Sequence, residues 1–477
     1  MVPAPDRALA RRLLILVGAG YLLTQLVLLS PHRGPSWDEA IYLSQVAPHM
    51  PALAFSPSRA RGITLLVAPV LQLGGSLAAV RMFLAVASAA ALTLAFWTWA
   101  PITGLGAPLA GFLFGFSWLG LFYGSEVMPN LWASILGVAV VGLVARRLAG
   151  DGWPWNVPAA AVLLGLMALF RPPDALVAAA AVALYVALFR REAWRVLVAL
   201  GVGLALGWLP WVVEMSVRYG GPVEAFRQAS GVGHVTAGGV GSRVLQQLAL
   251  TDGPVIGPQV PRVIPVGGLL WWGGLVVLSA VALIRGRRMA TLGALSLATL
   301  TGVALAVEYL VFVSGLAPRF LSPAYALLVL PTAWGLVSLV RGGAVARAGG
   351  YVALALVVVW GGWQVVTADR IETDAVRARA SVQDAGLAVR GLAEGRPCLV
   401  ASTEGYPQIA YAARCAGKWL HGVGEAEVAP LSSLAGAGDR VFVVLPSPPP
   451  PASPLAALEP RPVPTAGVRW LVYELPT

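Results

Sequence analysis

Charge is scarce in this chain of 477 residues: only 12% are Asp, Glu, Lys or Arg, against about 25% in soluble globular domains. That scarcity excludes an ordinary water-soluble enzyme. Lysine is nearly absent, Lys418 being the single one, so the other basic residues are arginines. Such a bias follows from a GC-rich genome as readily as from selection for phosphate, and no nucleic-acid partner is expected. Neither the glycine fingerprint of dinucleotide-binding folds nor a P-loop is present, which argues against a nucleotide-linked substrate. Cysteine is limited to Cys398 and Cys415. No small-x-small cleavage pattern closely follows the first apolar run, 13–29, so that run reads as an uncleaved span. No convincing internal repeat is found.

What the chain has instead is apolar sequence: 58% hydrophobic residues, with 54 Gly, 37 Pro and 17 Trp, and a mean hydropathy of +0.76. A helix rises about 1.5 Å per residue across a hydrocarbon core of about 30 Å. Spans are therefore predicted at 13–29, 76–100, 108–123, 131–145, 158–170, 175–189, 196–217, 266–284, 290–313, 320–340 and 350–367. With the N-terminus inside, these eleven spans put Arg146, Arg147, Arg190, Arg191, Arg195, Arg285, Arg287, Arg288, Arg341 and Arg347 in cytoplasmic turns, a positive-inside pattern. Glycines within the runs read as helix-packing residues. The Trp271-Trp272 pair fits an interfacial aromatic belt.

The expected organisation is an all-α polytopic membrane domain over 1–367, with a first outer loop at 31–61 and a long outer loop at 218–265. A small extracytoplasmic α/β domain over 368–477 follows. In that domain we predict strands at 398–402, 440–445 and 468–475 and a helix at 407–416. The Pro-rich segment 446–464 reads as polyproline or loop. An outer location would allow a disulfide between Cys398 and Cys415.

Most carboxylates of the membrane part fall on the outer side under this topology. Arg81, Glu214 and Glu308 lie near outer span ends and suggest an outward-opening cavity. The first outer loop, GPSWDEAIYLSQVAPHM, is the richest segment. Ser36 and Glu39 form a capping box, S-x-x-E, and acidic residues in a first helical turn are favoured by the helix dipole without any chemistry. That accounts for Glu39 better than for Asp38, which is left beside Trp37 as an uncommitted carboxylate. In the C-terminal part, STEGYPQIAYAARC reads as a packing unit or an acceptor-binding surface, with Glu404 and Tyr406 as its polar groups.

The acidic pair Asp38-Glu39, followed by ARGITLLVAPVLQLGGSLAAVRMF with Leu73-Gly74-Gly75 and Arg81, resembles the polyprenol-phosphate-dependent glycosyltransferases of the GT-C fold. Aminoarabinose transferases and protein O-mannosyltransferases are the relevant relatives. YGSEVMPNLW, FRPPD and APRFLSPAYALLVL extend the resemblance over most of residues 10–345. The resemblance implies a membrane enzyme that moves a monosaccharide, mannose, arabinose or similar, from a polyprenyl phosphate to a cell-envelope glycan, lipid or protein. It implies Asp38, with Glu39 and Glu126, as catalytic carboxylates. Arg319, Arg59, Arg61 and Arg171 become donor-phosphate contacts, and Tyr42, Arg81, Asn130, Asp174 and Glu308 become cavity residues. Asn130 stands where the family often has Asp, and Glu126, one turn earlier, is the replacement carboxylate. His234, in GVGHVTAGGVGSR, matches a histidine that helps hold a metal in the aminoarabinose transferases, so a divalent metal is the one cofactor implied. The rival readings are a transporter or flippase of a lipid-linked saccharide and a non-catalytic receptor or assembly subunit.

Overall fold

The structure, a computed structural model, describes residues 4–28, 30, 33–231, 239–253, 265–286, 289–313, 317–436, 440–465 and 468–476. Among these, nine helices are long and apolar enough to cross a membrane: Pro5–Leu28, Leu77–Trp97, Pro129–Leu148, Pro172–Phe189, Arg191–Tyr219, Val266–Arg285, Ala290–Phe312, Pro318–Val340 and Ala344–Ala393. Each covers a predicted span. The two other predicted spans are helical but shorter. One is Asn156–Phe170. The other is divided into Gly106–Gly115 and Trp118–Tyr123, because Ser117 turns to extended backbone and its side chain accepts from the Gly120 amide, starting a new helix. Hydropathy is blind to that break, since the residues around it are apolar.

The described residues form two compact units. The first comprises 1–28, 57–62 and 84–371 and the second 29–56, 63–83 and 372–477, so the units interleave along the chain. Lipid gives helices no hydrophobic reason to associate, and close contact through small residues takes its place. In the first unit a β-carbon at Gly203 would collide with the Ala161 carbonyl, and one at Gly207 with the Gly165 carbonyl. This G-x-x-x-G pair therefore seats the Trp194–Tyr219 helix directly on the backbone of Asn156–Phe170. The largely buried Ser322–Val340 helix packs against Val266–Arg285, Met289–Val307, Gly106–Gly115 and Pro129–Leu148. Gly335 lets it approach the Leu278 carbonyl. Trp271, read from sequence as part of an interfacial belt, is packed inside its unit: it is 8% exposed and stacks on Trp360, centroids 4.8 Å apart. A partner nearly ninety residues away leaves no local signal.

The second unit carries a five-stranded sheet in the order β2-β1-β3-β5-β4, with β1 Cys398–Ser402, β2 Ala416–Trp419, β3 Arg440–Leu445, β4 Arg461–Val463 and β5 Trp470–Glu474. β1 runs parallel to β2 and β3, whereas β5 is antiparallel to β3 and β4. β3, RVFVVL, is buried on both faces from its second residue, which explains its unbroken apolar run. Cys398 and Cys415 are disulfide-bonded. The predicted helix is shorter than expected, Tyr406–Ala413, because Arg414 adopts left-handed backbone and the chain enters β2. Sequence reading missed the helix Glu425–Gly436, which carries Pro430 in its interior. It also assigned only polyproline or loop to 446–464, where the structure has a turn of 3-10 helix and β4. Pro462 is tolerated because β4 is an edge strand bonded to β5 alone.

Replacing Gly207 with Leu should overpack the helix contact and cost about 1–3 kcal/mol. Heat-induced unfolding of the detergent-solubilised protein should show a clear loss. Gly201→Ala, whose β-carbon has nothing within 4 Å, should leave the unfolding temperature within experimental error of the parent.

Candidate functional site

Several of the site residues proposed from sequence come together, in one group within each unit. In the second unit the helix Trp37–Ser44 begins with the capping box read from sequence. Glu39 N donates to Ser36 Oγ at 3.4 Å and Ser36 N donates to Glu39 Oε2 at 2.8 Å. The structure adds two cations. Arg81 Nη1 and Nη2 donate to Glu39 Oε1 and Oε2 at 3.0 and 3.1 Å, and Arg379 Nη1 donates to Oε2 at 3.1 Å. Both guanidiniums also donate to the Gly34 carbonyl, at 3.0 and 3.2 Å. Glu39 and Arg81 are fully buried. A second buried pair, Arg33 with Glu372, lies on the same segment, and Glu372 also accepts from Ser30 N.

Glu39 is thus the anchor of its helix. Asp38 occupies the preceding position, half-buried, and one residue of helix turns it about 100° away from Glu39. Its other neighbour, Trp37, packs edge-on against Tyr406 and Trp419 with centroids at 5.2 and 5.0 Å, and those two rings meet at 5.9 Å. Tyr42, buried, lies edge-on to Phe55 at 5.8 Å. Tyr406 was singled out from sequence, but Trp419 and Arg379 were not. No pattern in a short strand or in a long charged helix marks the one side chain that turns inward.

In the first unit FRPPD and APRFL meet. Arg171 Nε donates to Asp174 Oδ1 at 3.0 Å, and the Tyr309 hydroxyl, which accepts from Arg171 Nη2, donates to the same oxygen. Tyr309 belongs to a π-helical turn, Glu308–Phe312, a local widening that often marks functional positions. Its ring stacks on Phe320 at 5.4 Å. The guanidiniums of Arg171 and Arg319 lie 5.8 and 5.2 Å from the Phe320 centroid, a cation-π arrangement. Phe320 therefore steadies Arg319, which is 8% exposed.

The remaining residues are placed as follows. Arg61 grips Glu214 through Nε at 3.0 and 3.1 Å and through Nη2 at 2.5 Å, with Arg218 at 3.5 Å from the same carboxylate. Arg59 is half-buried nearby in sequence. Glu126 and Asn130 are both 1% exposed, and neither amide atom of Asn130 has a hydrogen-bond partner among the described residues. One oxygen of Glu308 is likewise buried without a partner there. His234 lies outside the described residues. Among those described, no group of three or more His, Cys, Asp or Glu side chains could hold a metal ion. The described residues therefore do not compose a ligand set.

No protein-family model and no curated protein matches the chain. Solved structures do. ArnT from Cupriavidus metallidurans bound to undecaprenyl phosphate is 15% identical with a TM-score of 0.70, covering 96% of this chain and 97% of that one. The Archaeoglobus fulgidus oligosaccharyltransferase complexed with Zn and sulfate is 14% identical with a TM-score of 0.54, covering 90% and 67%. The arabinofuranosyltransferase AftD from Mycobacteria is 15% identical with a TM-score of 0.58, covering 98% of this chain and 40% of that one. These chains share the GT-C fold, and this polytopic membrane protein has it as well.

Breaking one partner of a buried ion pair typically costs about 3–5 kcal/mol. Glu39→Ala, which leaves Arg81 and Arg379 facing each other without their anion, should lose an amount of that order in thermal unfolding. Asp38→Asn should lose far less. Equal losses at the two positions would remove the distinction between anchor and candidate base.

Proposed function

We propose that this chain is a membrane glycosyltransferase that moves a monosaccharide from a polyprenyl-phosphate donor to a cell-envelope acceptor. The observation that carries this reading is the match to ArnT, an aminoarabinose transferase crystallised with undecaprenyl phosphate, over nearly the whole length of both chains. The likeness to AftD supports the same class. Mannose, arabinose or a similar sugar is the donor group, and a glycan, lipid or protein hydroxyl is the acceptor. Membrane lipids surround the spans, and no nucleic acid is involved.

The chemistry requires few polar groups. Asp38 takes the proton from the acceptor hydroxyl as its oxygen attacks the anomeric carbon from the side opposite the phosphate. The new C–O bond forms as the anomeric C–O bond to phosphate breaks, so configuration inverts. Polyprenyl phosphate leaves with the bonding pair, and Asp38 passes the proton to water. Arg319, steadied by Phe320, and Arg59 stabilise the charge that grows on the phosphate. Arg171 and Arg61 act one step back, through Tyr309, Asp174 and Glu214, and Glu39 holds the helix that presents Asp38. Glu126 and Asn130 in the first unit and Tyr42 in the second, all buried, are the further residues this reading retains. The N-terminus is cytoplasmic and the C-terminal residues extracytoplasmic, which the Cys398–Cys415 disulfide and the arginine distribution support.

Purified protein in lipid nanodiscs with radiolabelled polyprenyl-phosphate mannose or arabinose, over a panel of envelope acceptors, should transfer sugar. Asp38→Asn should lower the rate by about 10²–10⁴-fold, the usual weight of a general base, with folding intact. Full activity in that variant would move the base elsewhere. Specific lipid binding without turnover of any donor, together with movement of the intact lipid-linked saccharide dependent on Glu308, would favour a transporter.

The topology has its own check. Single cysteines at Pro48→Cys and Arg341→Cys should react with impermeant reagent from opposite sides of the membrane, and labelling from one side would overturn the orientation.

A further inference from the structure

The second unit contains a cavity of about 410 Å³ that no step of the proposed reaction uses. This lies within the range of about 300–1,000 Å³ common for small-ligand sites. Its walls come from four segments distant in sequence: the loop carrying His49, the Gly74–Ser76 turn, the long helix at Arg390, and the end of the Tyr406–Ala413 helix at Tyr411 and Arg414. No lining residue is acidic. The side chains of Arg390 and Arg414 make no hydrogen bond or ion pair with other described residues.

Arg414 reaches the cavity from an unfavourable backbone. Its φ is +60°, and Glu394 is the only other non-glycine residue in that region among those described. A helix end of this shape is cheapest with glycine. The arginine side chain is thus held at a position where glycine would relieve the strain, as happens at ligand-binding positions. Beside it, burial raises the Tyr411 hydroxyl above its ordinary pKa, with Glu39 adding to the shift and Arg414 and Arg81 opposing it. Tyr411 therefore stays protonated and able to donate.

Exposed apolar side chains adjoin the cavity in sequence and line part of it. In the Gly62–Gln72 helix the buried positions Ile63, Val67 and Leu71 recur every four residues. The outward side is also apolar, with Leu65 57% exposed and Leu73, next to the Gly74–Gly75 lining, 89% exposed. Leu387, 48% exposed, lines the cavity itself. A helix apolar on both sides, ending at a basic pocket, suits an amphiphile better than a soluble anion.

We propose that this cavity binds the headgroup of an anionic phospholipid, its phosphate between Arg390, Arg414 and His49 and its acyl chains along Leu73 and Leu65. Lipid binding is measured directly, so the result is independent of whether any donor sugar is turned over. Delipidated full-length protein, titrated with phosphatidylglycerol or phosphatidylcholine of identical chains, is to be read by native mass spectrometry. We expect one tightly held phosphatidylglycerol per chain, preferred at least tenfold over phosphatidylcholine. The Arg390→Gln, Arg414→Gly double variant, whose glycine suits the backbone at 414, should lose most of that preference.

An unchanged preference in the variant overturns the proposal. So does complete displacement of the lipid by millimolar glycerol 3-phosphate or inorganic phosphate, which would identify a soluble-anion site. Should the variant fail to fold, the wild-type chain is photolabelled with a headgroup-reactive phosphatidylglycerol. Label on peptides containing 47–50, 74–77, 383–390 or 411–414 supports the site, and label confined to other peptides refutes it.

Discussion

A carboxylate removed from water must be answered by positive charge, and in the second unit this requirement falls on Glu39. Its two oxygens take Arg81, Arg379 and the amide of Ser36. Two of these partners come from segments far from residue 39, one of them 340 positions away. Burial of such a cluster is weak as a source of stability but strong as a source of definition, because every alternative packing strands a charge. The first turn of the Trp37–Ser44 helix, and with it the position of Asp38, is specified by this one carboxylate. The capping box alone could start a helix but could not orient it against the rest of its unit.

The first unit solves a comparable problem with fewer full charges. Arg171 and Tyr309 both donate to one oxygen of Asp174, and the π turn that carries Tyr309 brings its ring flat onto Phe320. Arg319 lies over the same Phe320 ring, a cation-π contact that fixes where its guanidinium sits. Arg61 is fixed instead by the Glu214 carboxylate.

Much of this was legible in the sequence, and the boundary has physical causes. Hydropathy located every long span because lipid imposes one requirement on all of them. It failed at Ser117, where a single side chain restarts a helix within apolar sequence. S-x-x-E announced the cap of the Trp37 helix because both partners are local. Arg379 and Trp419 were invisible because their roles depend on partners hundreds of positions away, and a lone charged residue in a helix looks the same facing water or an anion. The glycines of the Trp194–Tyr219 helix were read as packing residues, and G-x-x-x-G is a pattern whose meaning survives without knowing the partner. The C-terminal sheet was found in outline but not at its edges, where short strands carry little pattern.

Those edges have a further meaning. β4 is three residues long, contains Pro462, and follows the run PSPPPPASP. A proline offers no amide hydrogen, so the outer border of the sheet presents an incomplete row of donors to anything approaching it. Growth of the sheet by recruitment of a further strand is therefore disfavoured on that side by composition. The proline-bearing strand terminates the ladder, and that border is a poor template for aggregation.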